Sequence, residues 1–579
     1  VWSARDQRLR SVLAARASDD AQRPATLSST LPPSTDRVTD ASPEVPVSLD
    51  PQTLDPSLEG SFAPREHRRV RVGPVSLPAP SVRDITGAIR QLRVDLARPG
   101  PIRTGRLAGL SMGAAIWTLA WPVLAESTLN STIALVDTFL AAHLPGPDAA
   151  DAVGAAAYLL WFVGLITMAI GVGATALISR SMGAGRTAVA RAALGQSMLM
   201  ALIGGVATGA ALAIAAPALA GLMSLSPSAS AEFVRYIWAY GVGVPCSTLL
   251  FASTACCRGA GDTVRPLRVM AVVNVVNLGA AWTLSHVLGL GVVGIGLGTA
   301  LAHLVGAALI LRALALGTPG IMLRRRWLTP HRVTIYRLLR LGMPNFFETF
   351  GMWVANFLVI LMVGWMSAAS LRAAPDGQGG GLIGAHLIAI RIEAFSFLGG
   401  FAMGIAAGAL AGQYLGAGAP LLARRAALVC AGVAAGIMGL MGLVMIFVGP
   451  AITGLVSEQS AHLQMTPTLL LITGLIQVPF ALAIVLRSTL HGAGDVRAVM
   501  WMTWISQWGL RVPMAYAFSG VEIPLPAFLG GAPGQFIANP FPFNWGLPGL
   551  WIGLCAEICI RCALYAWRFA GNQWMHARV

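Results

Sequence analysis

The stretch ACCRGAGDTVRPL (Ala255–Leu267) has a relative within the same chain, TLHGAGDVRAVM (Thr489–Met500). Both carry Gly-Ala-Gly-Asp, and Asp262 and Asp495 lie 233 residues apart. Each stretch follows one long apolar run and precedes another. The same offset matches GVGATALISRSMGAG (Gly171–Gly185) to GIAAGALAGQYLGAG (Gly404–Gly418). A further match, LAWPVLAE (Leu119–Glu126) with LGMPNFFE (Leu341–Glu348), has an offset of 222. The difference is absorbed by a longer first outer loop in the second half. Motifs that keep their order and nearly their spacing mark a duplicated unit.

Composition says what medium the unit is built for. The chain has 579 residues, 55% hydrophobic and 11% charged, with mean hydropathy +0.68. Soluble domains carry about 25% charged residues, so the bilayer is the expected partner. The charge is uneven: residues 1–100 hold 14 Arg and 12 acidic side chains, and the other 479 hold 13 acidic ones. All 40 basic residues are Arg. The net charge of +15 lies in short gaps between apolar runs, with no soluble basic domain to present it, which argues against a nucleic-acid partner. The seven Cys show no metal-ligand spacing, and Cys555, Cys559 and Cys562 recur at packing intervals on one helix.

Residues 1–106 read as a disordered cytoplasmic tail, too poor in periodic apolar positions to offset ordering entropy. Within it, Ile85, Ile89, Leu92 and Leu96 recur on one face of 81–98, with Arg83, Arg90, Arg93 and Arg98 around them. That pattern suits an amphipathic helix on an anionic membrane surface. A targeting peptide is the rival reading, and the acidic side chains oppose it.

From about residue 107 the apolar runs predict spans near 108–143, 152–182, 190–222, 232–256, 267–289, 292–316, 338–368, 383–414, 422–452, 464–490, 497–519 and 547–570. A bilayer core needs roughly 20 apolar residues per helix, and each run supplies them. The gaps after spans 2, 4, 6, 8 and 10 carry Arg, including Arg180, Arg186, Arg258, Arg265, Arg324–Arg326, Arg424, Arg425, Arg487 and Arg497. The intervening gaps, such as LPGPDAAD and SEQSAH, carry little. By the positive-inside bias the Arg gaps and both termini are cytoplasmic, and the inner (plasma) membrane is the expected location.

The fold class is therefore an all-α membrane protein of twelve transmembrane helices in two six-helix lobes, 107–320 and 321–579, the latter including a cytoplasmic linker 317–338. Six is even, so both lobes enter the membrane in the same direction. Such parallel repeats about an axis along the membrane normal are typical of secondary transporters, with the binding site between the lobes. The twice-written motif becomes a cytoplasmic turn between spans 4 and 5 of each lobe. Gly259, Gly261, Gly492 and Gly494 allow a tight turn. Asp262 and Asp495 cap the following helix or, for Asp262, pair with Arg258 or Arg265.

Five acidic residues fall inside predicted spans: Glu126, Asp137, Glu348, Glu393 and Glu557. A charge near mid-membrane costs roughly 2.5–3.5 kcal/mol on insertion scales, so these are candidate functional groups. Glu126 precedes Asp137 by 11 residues, roughly 16 Å along the same helix. Glu348 follows Pro344 as Glu126 follows Pro122. For both, a cavity role and buried structural pairing stand side by side. Arg391 lies in RIEAFSF two residues before Glu393, and inside a span it needs an anion, which Glu348 or Glu393 could supply. Glu557 has Arg561 one turn later, an intrahelical pair. Trp117, Trp121, Phe346, Phe347, Trp353 and Phe357 offer aromatic faces to organic cations, or simply pack.

Taken together, LAWPVLAESTLNSTIALVDTFLAAHL, GVGATALISRSMGAG, RGAGDTVRPLRVMAVVNVVN, AIRIEAFSFLGGFAMGIAAGALAGQYLGAG and WGLPGLWIGLCAEI resemble the multidrug and toxic compound extrusion (MATE) family of the MOP flippase superfamily. The likeness covers roughly 107–571. It implies an export carrier, expected as a monomer, coupled to inward H+ or Na+, with bulky organic cations as substrates. No metal and no cofactor beyond the coupling ion is implied. Asp137 matches the first-helix aspartate that the family uses for cation coupling, and Asn274 and Asn277 match its paired asparagines on the fifth helix. Ala281 stands where relatives often have an acid. Glu348 corresponds to the family's helix-7 glutamate. The substrate-cavity candidates are Glu126, Glu348, Arg391 and Glu393. Two other readings compete: a lipid-linked oligosaccharide flippase of the same superfamily, and a membrane-embedded enzyme. The flippases often have fourteen helices and a cationic cavity, against twelve helices and an acidic first helix here. The nine His are scattered and no catalytic motif such as HExxH or GxSxG occurs, so the chain is expected not to be an enzyme.

Overall fold

The computed structural model describes Val94, Leu96, Ala97 and residues 100–579 apart from 146–147, 223–225, 318–319, 374–380, 525–535 and 578. Most of the expected disordered tail lies outside the described residues, as does most of the expected surface helix 81–98. The described end of that helix, Val94, Leu96 and Ala97, is helical, and Leu96 packs against the core beside Gly113.

The first half comprises α1 (Met112–Ala142), α2 (Asp148–Gly183), α3 (Thr187–Leu222), α4 (Pro227–Gly259), α5 (Val264–Trp282) and α6 (Gly291–Leu316). The second comprises α7 (Arg332–Ala373), α8 (Leu382–Gly416), α9 (Pro420–Val456), α10 (Ser460–Leu475) with α11 (Gln477–Ala493), α12 (Val496–Ser506) with α13 (Val512–Ser519), and α14 (Gly546–Ala570). A π turn, Thr283–Val287, ends α5, and another, Gln507–Arg511, joins α12 to α13. Among the described residues nine helices are long and apolar enough to cross a membrane. The pair α10–α11, bent by 56°, is long and apolar enough for a tenth when the two helices are taken together as one span. α1 and the interrupted run Val496–Ser519 complete two sets of six. Large apolar side chains such as Ile214, Phe447 and Leu455 are strongly exposed, as expected where lipid is the solvent.

The two Gly-Ala-Gly-Asp turns have one backbone form. α4 ends with Gly261 N–H bonded to Arg258 O at 3.0 Å and Asp262 N–H to Cys257 O at 2.8 Å. α11 ends with Gly494 N–H on His491 O and Asp495 N–H on Leu490 O, both 2.9 Å. These are Schellman closures, which need a left-handed residue. Gly261 and Gly494 supply it, with φ of 86° and 91°. The earlier glycines serve packing instead: a Cβ on Gly259 would press on the Thr175 backbone, and one on Gly492 on the Gly408 backbone. Asp262 accepts from the Arg265 backbone N–H and pairs with the Arg265 guanidinium at 3.2 Å and with Arg106 at 2.7 Å. Arg258 instead faces Glu126. Asp495 pairs with Arg568 at 2.8 Å.

Pro122 lies inside α1 and removes the hydrogen bond that the Thr118 carbonyl would accept. The hydroxyl of Thr263, next after the first turn, donates to that carbonyl at 2.8 Å. The segment before α1 is tied to the same end: Ile102 and Leu107 are buried, and Thr104 donates to Met182 O.

Buried apolar residues show how the halves meet. At the end bearing the Arg-rich links, Ile102, Leu107, Met112, Ala115, Ile116, Leu119 and Ala120 join a core otherwise made of the second half. Reciprocally, Leu338, Leu341 and Val496 join a core of the first half. At the opposite end each half keeps its own core, one around Phe233, Tyr236 and Ile295, the other around Met362, Leu470 and Trp551. The two halves therefore share apolar cores at the Arg-rich end and keep separate ones at the other.

Candidate functional site

Asp137 sits near the last turns of α1 and is 6% exposed. The Thr299 hydroxyl on α6 lies 3.2 and 3.0 Å from its two carboxylate oxygens. Asn277 on α5 donates from Nδ2 to that hydroxyl oxygen at 2.9 Å. A hydroxyl has one proton to give and lone pairs to accept with, so the chain is polarised from amide to hydroxyl to carboxylate. Helix packing sets the spacing. A methyl group on Gly298 would collide with the backbone of Ala281, so α5 and α6 approach backbone to backbone. Ala281 is fully buried in that contact, and among the described residues the cluster holds one carboxylate. Tyr236 and Tyr240 on α4 lie close enough to feel its charge, and Tyr240 and Phe251 set ring edges against His303, one turn beyond Thr299. Asn274 does not join the group: its Nδ2 donates to Met270 O of its own helix at 2.9 Å.

The other span carboxylates have cationic neighbours. Glu126 pairs with Arg258 at 2.8 Å, away from Asp137 toward the Arg-rich end. Glu348, fully buried, takes Arg487 Nε at 2.5 Å, His491 Nε2 at 3.0 Å and the Thr503 hydroxyl at 3.1 Å. The Tyr565 hydroxyl lies 2.6 Å from that of Thr503. The duplication is visible here, since Glu126 corresponds to Glu348 and Arg258 to His491. Arg487 is an addition of the second half. Its counterpart Thr254 is buried, and the Thr254 hydroxyl has no partner among the described residues. Glu557 is held by Arg511 at 3.3 Å as well as by the expected Arg561 at 3.2 Å.

Glu393 on α8 accepts from the Thr473 hydroxyl at 2.5 Å, with Gln477 Nε2 3.5 Å from that hydroxyl. Arg511 is near enough to act on it electrostatically. Arg391 departs from expectation. It is exposed, and among the described residues no carboxylate lies within ion-pair range. Two residues along a helix is about 200° of rotation, so Arg391 and Glu393 leave α8 on different sides, while Glu348 is already occupied. Thr128, Asn130, Ser131 and Thr132 of α1 are also exposed, and polar side chains on a span face a water-filled space more readily than lipid. Of the aromatic candidates, Trp117, Trp121, Phe347 and Phe357 are exposed. Trp353 stacks on Phe357 at 5.6 Å and Phe346 on Phe350 at 6.2 Å.

The MatE family model matches residues 122–283 and 344–517, one segment in each half. The chain belongs to the MatE family. This MatE protein is similar to the probable multidrug resistance protein NorM of Thermotoga maritima, 25% identical over 472 residues, covering 79% of this chain and 92% of the relative. Multidrug resistance protein PmpM of Pseudomonas aeruginosa is 25% identical over 474 residues, covering 78% and 91%. In fold it is similar to the Vibrio cholerae MATE transporter VcmN in the bent form, with TM-score 0.69, 18% identity and 80% and 98% coverage. It is also similar to a MATE family transporter in an outward-facing conformation, with TM-score 0.68, 20% identity and 82% and 98% coverage.

Reasoning along the chain missed Thr299, Thr473 and Arg487. A threonine in an apolar span carries no signal of its own, and Arg487, expected in the Arg-bearing gap after span 10, instead turns inward to the buried Glu348. His491 was legible, as the repeat partner of Arg258. The bridging hydroxyl has a direct test in this MatE transporter. Thr299→Val keeps the shape but strips Asp137 of its donor, and a hydrogen bond to a charged group contributes about 1.5–3 kcal/mol. Transport is expected to fall roughly tenfold or more at equal protein level, with Thr299→Ser close to wild type. Unchanged transport by the valine variant would remove Thr299 from the site.

Proposed function

We propose that this MatE transporter is a cation-coupled antiporter that exports organic cations by alternating access of its lobes, 107–320 and 321–579. The observation that carries the reading is the state of Asp137. It is buried with the Thr299 hydroxyl on it, yet among the described residues it has no Arg or His in ion-pair range. A buried carboxylate without a counter-charge is costly, and a proton, a Na+ or a cationic substrate would relieve that cost. One carboxylate does not hold two cations strongly, so entry of the coupling ion weakens the hold on substrate and releases it outside. The lobes then rock, the ion leaves inside, and the site reloads. The membrane potential supplies about 2.3 kcal/mol per charge per 100 mV to such a cycle.

On this reading the Arg-rich end faces the cytoplasm of a cell whose inner membrane holds the protein, and the protein works as a monomer with no cofactor beyond H+ or Na+. The names of the relatives support drug-like substrates, and Asn130 with the exposed aromatic faces supplies polar and π contacts for them. The test is ethidium or norfloxacin transport by the full chain in proteoliposomes under an imposed Na+ gradient or pH gradient. One gradient is expected to drive transport and so to name the ion. Folded protein that moves neither probe under either gradient would overturn the proposal.

A further inference from the structure

The motif matches leave two residues without a role, and the duplication pairs them: Arg180 corresponds to Gln413 at the offset of 233. Arg180, near the end of α2, donates from Nη1 to the carbonyl of Ala493 at 2.8 Å. Gln413, near the end of α8, donates from Nε2 to the carbonyl of Gly259 at 3.0 Å. Ala493 and Gly259 belong to the two Gly-Ala-Gly-Asp turns, so each arm reaches out of its own lobe to the turn of the other. The acceptors suit the arms. Both carbonyls stand at helix ends whose last turns lack intrahelical partners, and the negative end of the helix dipole favours a cation such as Arg180.

The arms flank a crossing of bare backbone. Ser179 and Gly183 on α2 correspond to Gly412 and Gly416 on α8. A methyl group on Gly183 would strike the backbone of Gln413, one on Gly416 that of Arg180, and one on Gly412 the Ser179 hydroxyl. Small residues four apart let two helices touch in this way. We infer that Arg180 and Gln413 are the two arms of a latch that holds the lobes shut at the Arg-rich end, and that the twice-written turns are its catches.

Two features mark the contact as one built to open. Gln413 is 1% exposed, and its Oε1 has no partner among the described residues. An unpaired buried oxygen disfavours the closed arrangement relative to one that hydrates it. The catches are also tied to α1: Arg258, next to Gly259, holds Glu126, and Thr263 holds the carbonyl that Pro122 leaves free. A shift of α1 therefore moves the turn that Gln413 grips. The proposal rests on the alternating-access reading, in which this end must part.

Hydrogen–deuterium exchange of the full chain tests it, comparing wild type with Arg180→Ala, Gln413→Ala and the double variant. Each arm is a buried hydrogen bond and biases the equilibrium by roughly tenfold. The double variant is expected to exchange at least tenfold faster in peptides covering 179–187, 257–264, 412–420 and 490–497. Peptides at the opposite end, such as 226–231 and 546–550, are expected to exchange more slowly, because closing there accompanies opening here. Arg180→Lys, which keeps a cationic donor, is expected to restore most of the protection. If Gln413→Ala does not fold, Gln413→Asn, whose amide is one methylene shorter, takes its place. Unchanged exchange at both turns would overturn the latch, and so would faster exchange at both ends, which reports loosening alone. Opening in the variants while wild type moves no probe under either gradient would keep the latch and sink the antiport reading.

Discussion

Asp137→Asn is expected to abolish gradient-driven export while the protein still folds and inserts. Asparagine keeps the shape of the side chain and accepts the Thr299 hydroxyl through its remaining oxygen, so the chain from Asn277 through Thr299 survives in part. It carries no negative charge and takes up no proton in the physiological range. A unit charge about 4 Å from a cation contributes about 4 kcal/mol at an effective dielectric of about 20. With tenfold for each 1.4 kcal/mol, losing it lowers cation affinity by roughly two to three orders of magnitude. Efflux of ethidium or norfloxacin at matched protein level should fall to the level of cells lacking the transporter, and should no longer respond to Na+ or to external pH. Asp137→Glu keeps the charge on a longer stem and is expected to retain a fraction of the activity. Full coupled export by the asparagine variant would take Asp137 out of the coupling step and leave Glu393, the other span carboxylate without an ion-pair partner among the described residues, as the place to look.

The second large effect is on stability. Arg487→Ala removes the main cation from Glu348, which is fully buried. Breaking a buried pair from one side costs about 3–5 kcal/mol, because an uncompensated charge stays behind. His491 Nε2 and the Thr503 hydroxyl remain on the carboxylate, which puts the expected loss near the lower end of that range. The informative comparison is Glu348→Leu with Arg487→Met in one chain. Replacing a buried pair by apolar groups of similar size is often neutral or stabilising, so thermal unfolding in detergent should show the double variant recovering most of what the single one loses. Equal losses would mean that Glu348 and Arg487 are each needed for something other than their charge pairing. A double variant that is stable but does not transport would move Glu348 from structural pairing to function.

Much of the architecture could be read along the chain, because the bilayer reduces folding to local rules. A run of about 20 apolar residues has one stable way to cross lipid, as a helix that satisfies its own backbone. The Gly-Ala-Gly-Asp turns were legible for a related reason: a helix that must stop and reverse within four residues needs a left-handed position, and Gly261 and Gly494 provide it. The duplication, with its six spans per half, follows from the order of such local signals. Asp137 stood out because an acid in a span is costly wherever it ends up. Side-chain partners obey no local rule. Arg391 and Glu393 are neighbours in the chain and leave α8 on different sides, whereas Glu348 and Arg487 lie 139 residues apart and touch. Thr299 reaches Asp137 because Gly298 lets α6 lie against α5, and Arg180 meets Ala493 because Gly183 and Gly416 let α2 cross α8. Those crossings depend on the shapes of two helix surfaces at once. The order of residues along one helix therefore sets which side chains are offered, and the packing of the two lobes sets which of them meet.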